Sequence, residues 1–363
     1  MKANYVADPL FVPINIGGLA LSNRIVMAPM TRGRAGDGDV PTSLMVDYYR
    51  QRASAGLLVT EGVQPTPAGK GYWRTPGIHS EAQIEGWRAV TNAVHERGGR
   101  IVMQIMHCGR VVVPENRGYN ADVIAPSAIP CPAKVAGPDG VPVPTAMPRA
   151  IMGSEIPSLI EEFATAATNA IAAGMDGVEL HCASGYLINQ FLNPISNLRD
   201  DDYGGGVQNR IRFPVQVLEA MSAAIGADRV GFRISPGNPY NGMDPANPAD
   251  TFIPFVQAVD GLGLAYLHLV DMQIPDLPIL EMLRSHWSGA IIANNNLKPD
   301  AARMLLDQRS ADVVSFGRAF IANPDLAERL RDGAPLAKPD FSMLYVGDEK
   351  GYTDYPSLVT APA

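Results

Sequence analysis

Eight short runs of apolar, often β-branched residues recur along the chain at 24–30, 56–61, 100–106, 176–182, 229–235, 264–271, 290–294 and 312–317, each bounded by Gly, Pro or charged residues. They are nearly continuous hydrophobics, with no strict alternation, as expected of parallel strands covered on both faces. Between them lie stretches with helical spacing, at 43–55, 81–97, 156–173, 208–224, 299–308 and 325–331. This strand–helix alternation predicts the α/β class and, with eight units, a (β/α)8 TIM barrel. A doubly wound sheet would place a Gly-rich turn after its first strand. The segment Ala28-Pro29-Met30-Thr31-Arg32 has no such turn, and Gly204-Gly205-Gly206 follows Asp-Asp-Tyr where a strand would be needed.

The third strand is followed by an insertion at 111–155 that carries Pro114, Pro126, Pro130, Pro132, Pro138, Pro142, Pro144 and Pro148. Proline at that density excludes a helix interior, so the insertion is expected to form a lid or short hairpin capping the site. No linker, repeat or charge block divides the chain, which predicts one domain over 1–363. With 46% hydrophobic and 18% charged residues, the chain can bury a large core. The formal charge of −8 argues against nucleic acid or an anionic membrane surface as partner. Three cysteines, Cys108, Cys131 and Cys182, make a poor disulfide framework and suit a reducing compartment. No run approaches the ~18 apolar residues of a membrane span, and the first residues lack a basic-then-apolar leader. A cytoplasmic protein is therefore expected.

In such a barrel the chemistry gathers at the C-terminal ends of the strands. Those ends offer Thr31, Gly62, Gln104 with Met106, His181, Arg233, the Asn294-Asn295-Asn296 turn, and Gly317-Arg318. An arginine inside a barrel is expensive unless it faces an anion. The last two strand ends commonly hold a phosphate, and a guanidinium with backbone donors suits a phosphomonoester. Arg318 could instead pair with a carboxylate on the rim. With Arg233 at another strand end, the polar strip between them suits a flat heterocycle ending in a phosphate, the shape of flavin mononucleotide (FMN). His181 and Tyr186 straddle one strand-to-helix turn, where an imidazole N–H could hold a carbonyl while a neutral phenol delivers a proton. Either residue alone would more often be a packing residue. The doublets His107-Cys108 and His181-Cys182 point to opposite strand faces and cannot close a metal site. No lysine lies on a predicted barrel strand, and no Gly-x-Ser-x-Gly elbow is present.

The segments Asn23-Arg24-Ile25-Val26-Met27-Ala28-Pro29-Met30-Thr31-Arg32, Tyr203-Gly204-Gly205-Gly206-Val207-Gln208-Asn209-Arg210, Phe316-Gly317-Arg318-Ala319-Phe320 and Gly351-Tyr352-Thr353-Asp354-Tyr355-Pro356 resemble the Old Yellow Enzyme family of flavin-dependent ene-reductases. The resemblance runs over nearly the whole chain. It implies a barrel holding one non-covalent FMN, reduced by NADPH or NADH and reoxidised by an activated alkene. Carried over, Pro29, Met30, Thr31 and Gly62 would lie along the flavin, with Thr31 at the C4 carbonyl. Gln104 would meet its pyrimidine edge, Arg233 its N1 side, and Arg318 with the backbone near Asn294 and Gly317 its phosphate. His181 would bind the substrate carbonyl or nitro oxygen, Tyr186 would protonate the α-carbon, and Tyr72 and Tyr355 would line the pocket. Two departures stand out. Ser184 replaces the usual second oxygen-binding His or Asn, and Met106 replaces a common Trp; they imply weaker carbonyl polarisation and a roomier pocket. The alternative reading is an FMN-binding protein with weak or different turnover, on nitroesters or quinones. The resemblance leaves monomer and homodimer equally open.

Overall fold

The computed structural model describes residues 7–358. All eight predicted runs form strands, trimmed at their ends: β1 (Ile25–Met27), β2 (Leu57–Val59), β3 (Ile101–Ile105), β4 (Gly177–His181), β5 (Val230–Ile234), β6 (Tyr266–Val270), β7 (Ala290–Asn294) and β8 (Val313–Phe316). Each pairs in parallel with its neighbours, and β8 closes on β1 through Val314↔Ile25, giving the closed barrel. One principal helix follows each strand: α1 (Ser43–Gln51), α2 (Glu81–His95), α3 (Ile156–Ala172), α4 (Arg212–Ile225), α5 (Ala249–Val259), α6 (Ile279–Arg284), α7 (Pro299–Asp307) and α8 (Leu326–Asp332). The helix predicted at 208–224 is broken at Ile211, with Val207–Arg210 ahead of the break. Sequence pattern missed α5 and α6. Pro254 interrupts the first, and Pro275 and Pro278 crowd the start of the second, so both read as loop.

Side-chain alternation sorts the barrel into layers. Leu58, Met103, Val178, Leu180, Phe232, Leu267 and Val314 face outward and are buried under the helices. On the inner face, Val26, Leu57, Val59, Val102, Tyr266, Ile292 and Val313 pack against Ile16, Leu19 and Leu21 of an N-terminal hairpin formed by Ile14–Ile16 and Leu19–Leu21. This hairpin seals the barrel floor. Its turn residue Gly17 has φ +54°, and a Cβ there would fall 2.6 Å from the Ala265 Cα, so only glycine lets the hairpin seat so closely. Each large apolar side chain buried this way contributes about 1.5–3 kcal/mol. The polar interior residues lie at the opposite end.

The insertion at 111–155 contains an antiparallel hairpin, Lys134–Ala136 with Pro142–Pro144, and a short parallel pair, Ile124–Ala125 with Arg149–Ala150. Lys134 thus sits on a strand, though outside the barrel. Arg117, fully buried, roots the insertion by donating to the carbonyls of Lys70 (2.9 Å), Ala68 (2.7 Å) and Asp122 (3.1 Å). Val111, Val112, Val113, Cys131 and Val135 pack in one cluster with Met106, Cys108 and Tyr186. Among the described residues, no helix is long and apolar enough to cross a membrane.

Candidate active site

Strand register builds the site. Glu179 of β4 is level with Gln104 of β3, His181 of β4 with Arg233 of β5, and Arg233 with His268 of β6. Residues level in a parallel sheet share a face, so these side chains converge in the barrel interior. Gln104 Nε2 donates to Glu179 Oε1 (2.7 Å), and the other Glu179 oxygen meets His268 Nδ1 (2.8 Å), whose Nε2 reaches Ser315 Oγ (2.8 Å). Arg233 Nη2 donates to Asn294 Oδ1 (3.0 Å), and its Nη1 lies 3.0 Å from His268 Nδ1. Burial alone would raise the Glu179 carboxyl, but His268, Arg233 and Gln104 outweigh it and hold its pKa below the usual range. Burial pulls the Arg233 guanidinium down to about 10 against the attraction of Glu179, so it remains cationic at neutral pH.

Above this layer the predicted cofactor residues separate by environment. β1 ends at Met27, leaving Pro29, Met30 and Thr31 half-buried on the loop over the barrel. Gly62 follows β2, and a Cβ on it would meet Met106 Cε at 2.5 Å, so Met106 lies directly over this backbone. Arg318 is exposed, beside the half-buried Gly317, and forms no ion pair among the described residues. That removes the rim-carboxylate reading of Arg318. Asn294 differs from expectation: its side chain is engaged with Arg233 and donates to the Ser315 carbonyl (3.1 Å), while its own carbonyl accepts from Asp271 N. Its side chain therefore orients Arg233.

Between β4 and the short helix Leu187–Leu192, the turn reverses through Ser184 (φ +58°) and Gly185 (φ +75°). A Cβ at Gly185 would fall 2.7 Å from the Tyr240 carbonyl, so the β5–α5 loop packs tightly on this turn. The turn sets the His181 and Tyr186 rings 5.2 Å apart, centroid to centroid. Burial, with help from Arg233, lowers His181 to about 3, so the imidazole is neutral; its Nδ1 is buried without a partner. Burial pushes the Tyr186 phenol well above its ordinary value. Tyr72, predicted to line the pocket, places its hydroxyl 2.9 Å from that of Tyr186. Tyr355 does not join this group. Its hydroxyl accepts from Asp340 N (2.8 Å) within the C-terminal stretch, where Tyr352 stacks on Tyr48 and Gln51 Nε2 donates to the Thr353 carbonyl, both from α1. Besides Tyr72, the aromatic residues that act electrostatically on Tyr186 are Tyr240 and Tyr345, both exposed and both missed from sequence. Glu179 was also missed, although its position two residues before His181 on one strand face signals it.

Residues 9–337 match the NADH:flavin oxidoreductase / NADH oxidase family. The chain belongs to the Old Yellow Enzyme family. Among Old Yellow Enzyme relatives, a Leishmania infantum protein named "Probable flavin mononucleotide-dependent alkene reductase" is 41% identical, over 97% of this chain and 98% of that protein. The Old Yellow Enzyme homologue from Zymomonas mobilis superimposes with a TM-score of 0.92 at 40% identity, covering 96% of this chain and 99% of that one. Morphinone reductase gives a TM-score of 0.93 at 41% identity, covering 98% of each chain. This member is accordingly a flavin-dependent oxidoreductase of the alkene-reductase type. Its residues fit FMN. Among the described residues, Arg318 forms no ion pair, Arg233 hydrogen-bonds to no carboxylate and His181 Nδ1 has no partner, so the interior offers donors along a strip above a sealed apolar floor.

Proposed function

We propose that the protein is an FMN-dependent ene-reductase that takes reducing equivalents from NADPH or NADH and delivers them to activated alkenes, namely α,β-unsaturated carbonyl or nitro compounds. When bound, non-covalently, FMN would supply hydride acceptance from the nicotinamide and hydride delivery to the alkene β-carbon. Thr31, Gln104 and the backbone at Pro29, Met30 and Gly62 would hold its ring, and Arg318 with the Gly317 backbone its phosphate. Arg233 would place a fixed positive charge where reduction leaves negative charge, which would favour the reduced state.

The observation carrying this reading is the neutral, partner-poor His181 imidazole beside the protonated Tyr186 phenol at the barrel mouth. His181 binds the carbonyl or nitro oxygen and draws electron density from the double bond. Tyr186 delivers its proton to the α-carbon. Ser184, half-buried and short, lends less to oxygen binding than a longer amide would, and the flexible Met106 leaves room for bulky enones. A net charge of −8 supports small-molecule substrates over nucleic acid or membrane partners, and three free cysteines suit work in the reducing cytoplasm, as a monomer or homodimer. The test is the visible spectrum of purified protein, its bleaching by NADPH or NADH under argon, and recovery on adding cyclohexenone. A protein that stays colourless after addition of FMN overturns the reading.

A further inference from the structure

A proton leaving Tyr186 must be replaced, and Tyr186 is 9% exposed. Its hydroxyl lies 2.9 Å from that of Tyr72, which is itself half-buried. Tyr240, 55% exposed, stands on the loop packed against the Gly185 turn and acts electrostatically on both Tyr72 and Tyr186. Three phenols on three different loops thus gather at the reacting centre, two of them hydrogen-bonded and the third open to solvent. Resting on the ene-reductase reading, we infer that Tyr72 and Tyr240 form a proton relay that restores Tyr186 after each turnover.

The balance is simple. Tyr186 gives its O–H proton to the substrate α-carbon and becomes a phenolate. Tyr72 passes its proton to that phenolate and takes one from Tyr240, which takes one from water. No redox partner beyond the nicotinamide is needed. A phenol is suited to this task because one hydroxyl both donates and accepts, and it rotates at little cost.

The relay is held in place by its surroundings. The loop bearing Tyr240 is fixed on the His181–Tyr186 turn by Asn241 Nδ2 donating to the Ser184 carbonyl (2.9 Å), and by Arg110 Nη2 donating to the carbonyls of Asn241 and Gly242 (both 3.2 Å). The loop bearing Tyr72 is fixed by Asn116 Nδ2 on the Gly71 carbonyl (3.1 Å) and by Thr75 Oγ1 on the carbonyl of Tyr72 itself (3.1 Å). The other titratable groups acting on Tyr72 and Tyr186 are Cys108 and Tyr345. Burial pushes the Cys108 thiol up to about 12 and separates it from water, so it offers no comparable route.

The test uses FMN-loaded enzyme, reduced with one equivalent of NADH and mixed with cyclohexenone in weak buffer containing a pH-indicator dye. Flavin reoxidation and proton uptake are followed together. In the parent protein the two traces coincide. In Tyr72→Phe, proton uptake trails reoxidation by about tenfold or more, the scale of a lost acid–base partner. Tyr240→Phe, which does not touch Tyr186, gives a smaller lag in the same direction. Traces that still coincide in both variants, or slower reoxidation with no lag, overturn the relay and leave Tyr72 a role in orienting Tyr186. Tyr186→Phe that reoxidises at the parent rate overturns the underlying assignment of the proton donor instead, so the two failures are distinct.

Discussion

Glu61 offers a measurement in which one buried carboxyl reports its own environment. It follows β2, is 1% exposed, and accepts through Oε2 from the backbone N–H groups of Arg32 (3.2 Å) and Gly33 (3.4 Å), while Oε1 has no partner. Arg32 and Arg34 act on it from the β1–α1 loop, Tyr49 from α1 and Tyr352 from the C-terminal stretch. Burial dominates these and raises its pKa from 4.5 to about 7. At low pH the carboxyl is protonated in folded and unfolded chains alike. As pH climbs through the window between those two values, the folded chain keeps a proton that the unfolded chain has released, and stability falls until Glu61 ionises in the native state. The shift corresponds to a loss of about 3 kcal/mol. Glu61→Gln keeps an oxygen acceptor for the two N–H groups and does not titrate. Its stability relative to the parent should therefore rise by about 3 kcal/mol between about pH 5 and about pH 8. Urea unfolding of the FMN-free protein at half-unit pH steps reads this difference, with contributions of the buried histidines cancelling between the two proteins. A difference that stays flat across the range refutes the reasoning.

Arg318→Ala removes an unpaired exposed guanidinium, and FMN affinity measured by fluorescence quenching should fall about tenfold to a hundredfold, the worth of one charge-assisted hydrogen bond. Ser184 occupies a left-handed conformation that Asn adopts readily, so Ser184→Asn should fold normally and bind a phenolic ligand more tightly, read from the long-wavelength charge-transfer band. A Cβ at Gly56 would fall 2.1 Å from the Asn23 backbone oxygen, which cannot yield as a side chain would. Gly56→Ala should lose about 1–3 kcal/mol, seen as a lower melting temperature with unchanged flavin absorption.

Sequence reveals most of the barrel because parallel strands covered on both faces must be written as short apolar runs, and each of the eight is. The helices it misses, α5 and α6, are the ones whose prolines and preceding polar turns imitate loops. At the site, residues on strands or immediately after them were legible: Gln104, His181 and Arg233 converge as register requires, and the turn after β4 brings Tyr186 beside His181. Residues delivered by loops were not. Tyr240 and Tyr345 reach the mouth only because the chain folds back, and nothing in local spacing separates Tyr345 from Tyr355. Asn294 shows a further limit, since strand position predicts where a side chain sits but leaves open which neighbour it will bond.

The N-terminal hairpin has a kinetic consequence. By stoppering one end of the barrel with Ile16, Leu19 and Leu21, it leaves the mouth beside Tyr186 as the open end, which on the proposed function would be the shared doorway for the nicotinamide and the alkene. Two visitors using one doorway would have to take turns, so excess of either should obstruct the other, and the oxidised nucleotide would depart before reduction of the double bond began.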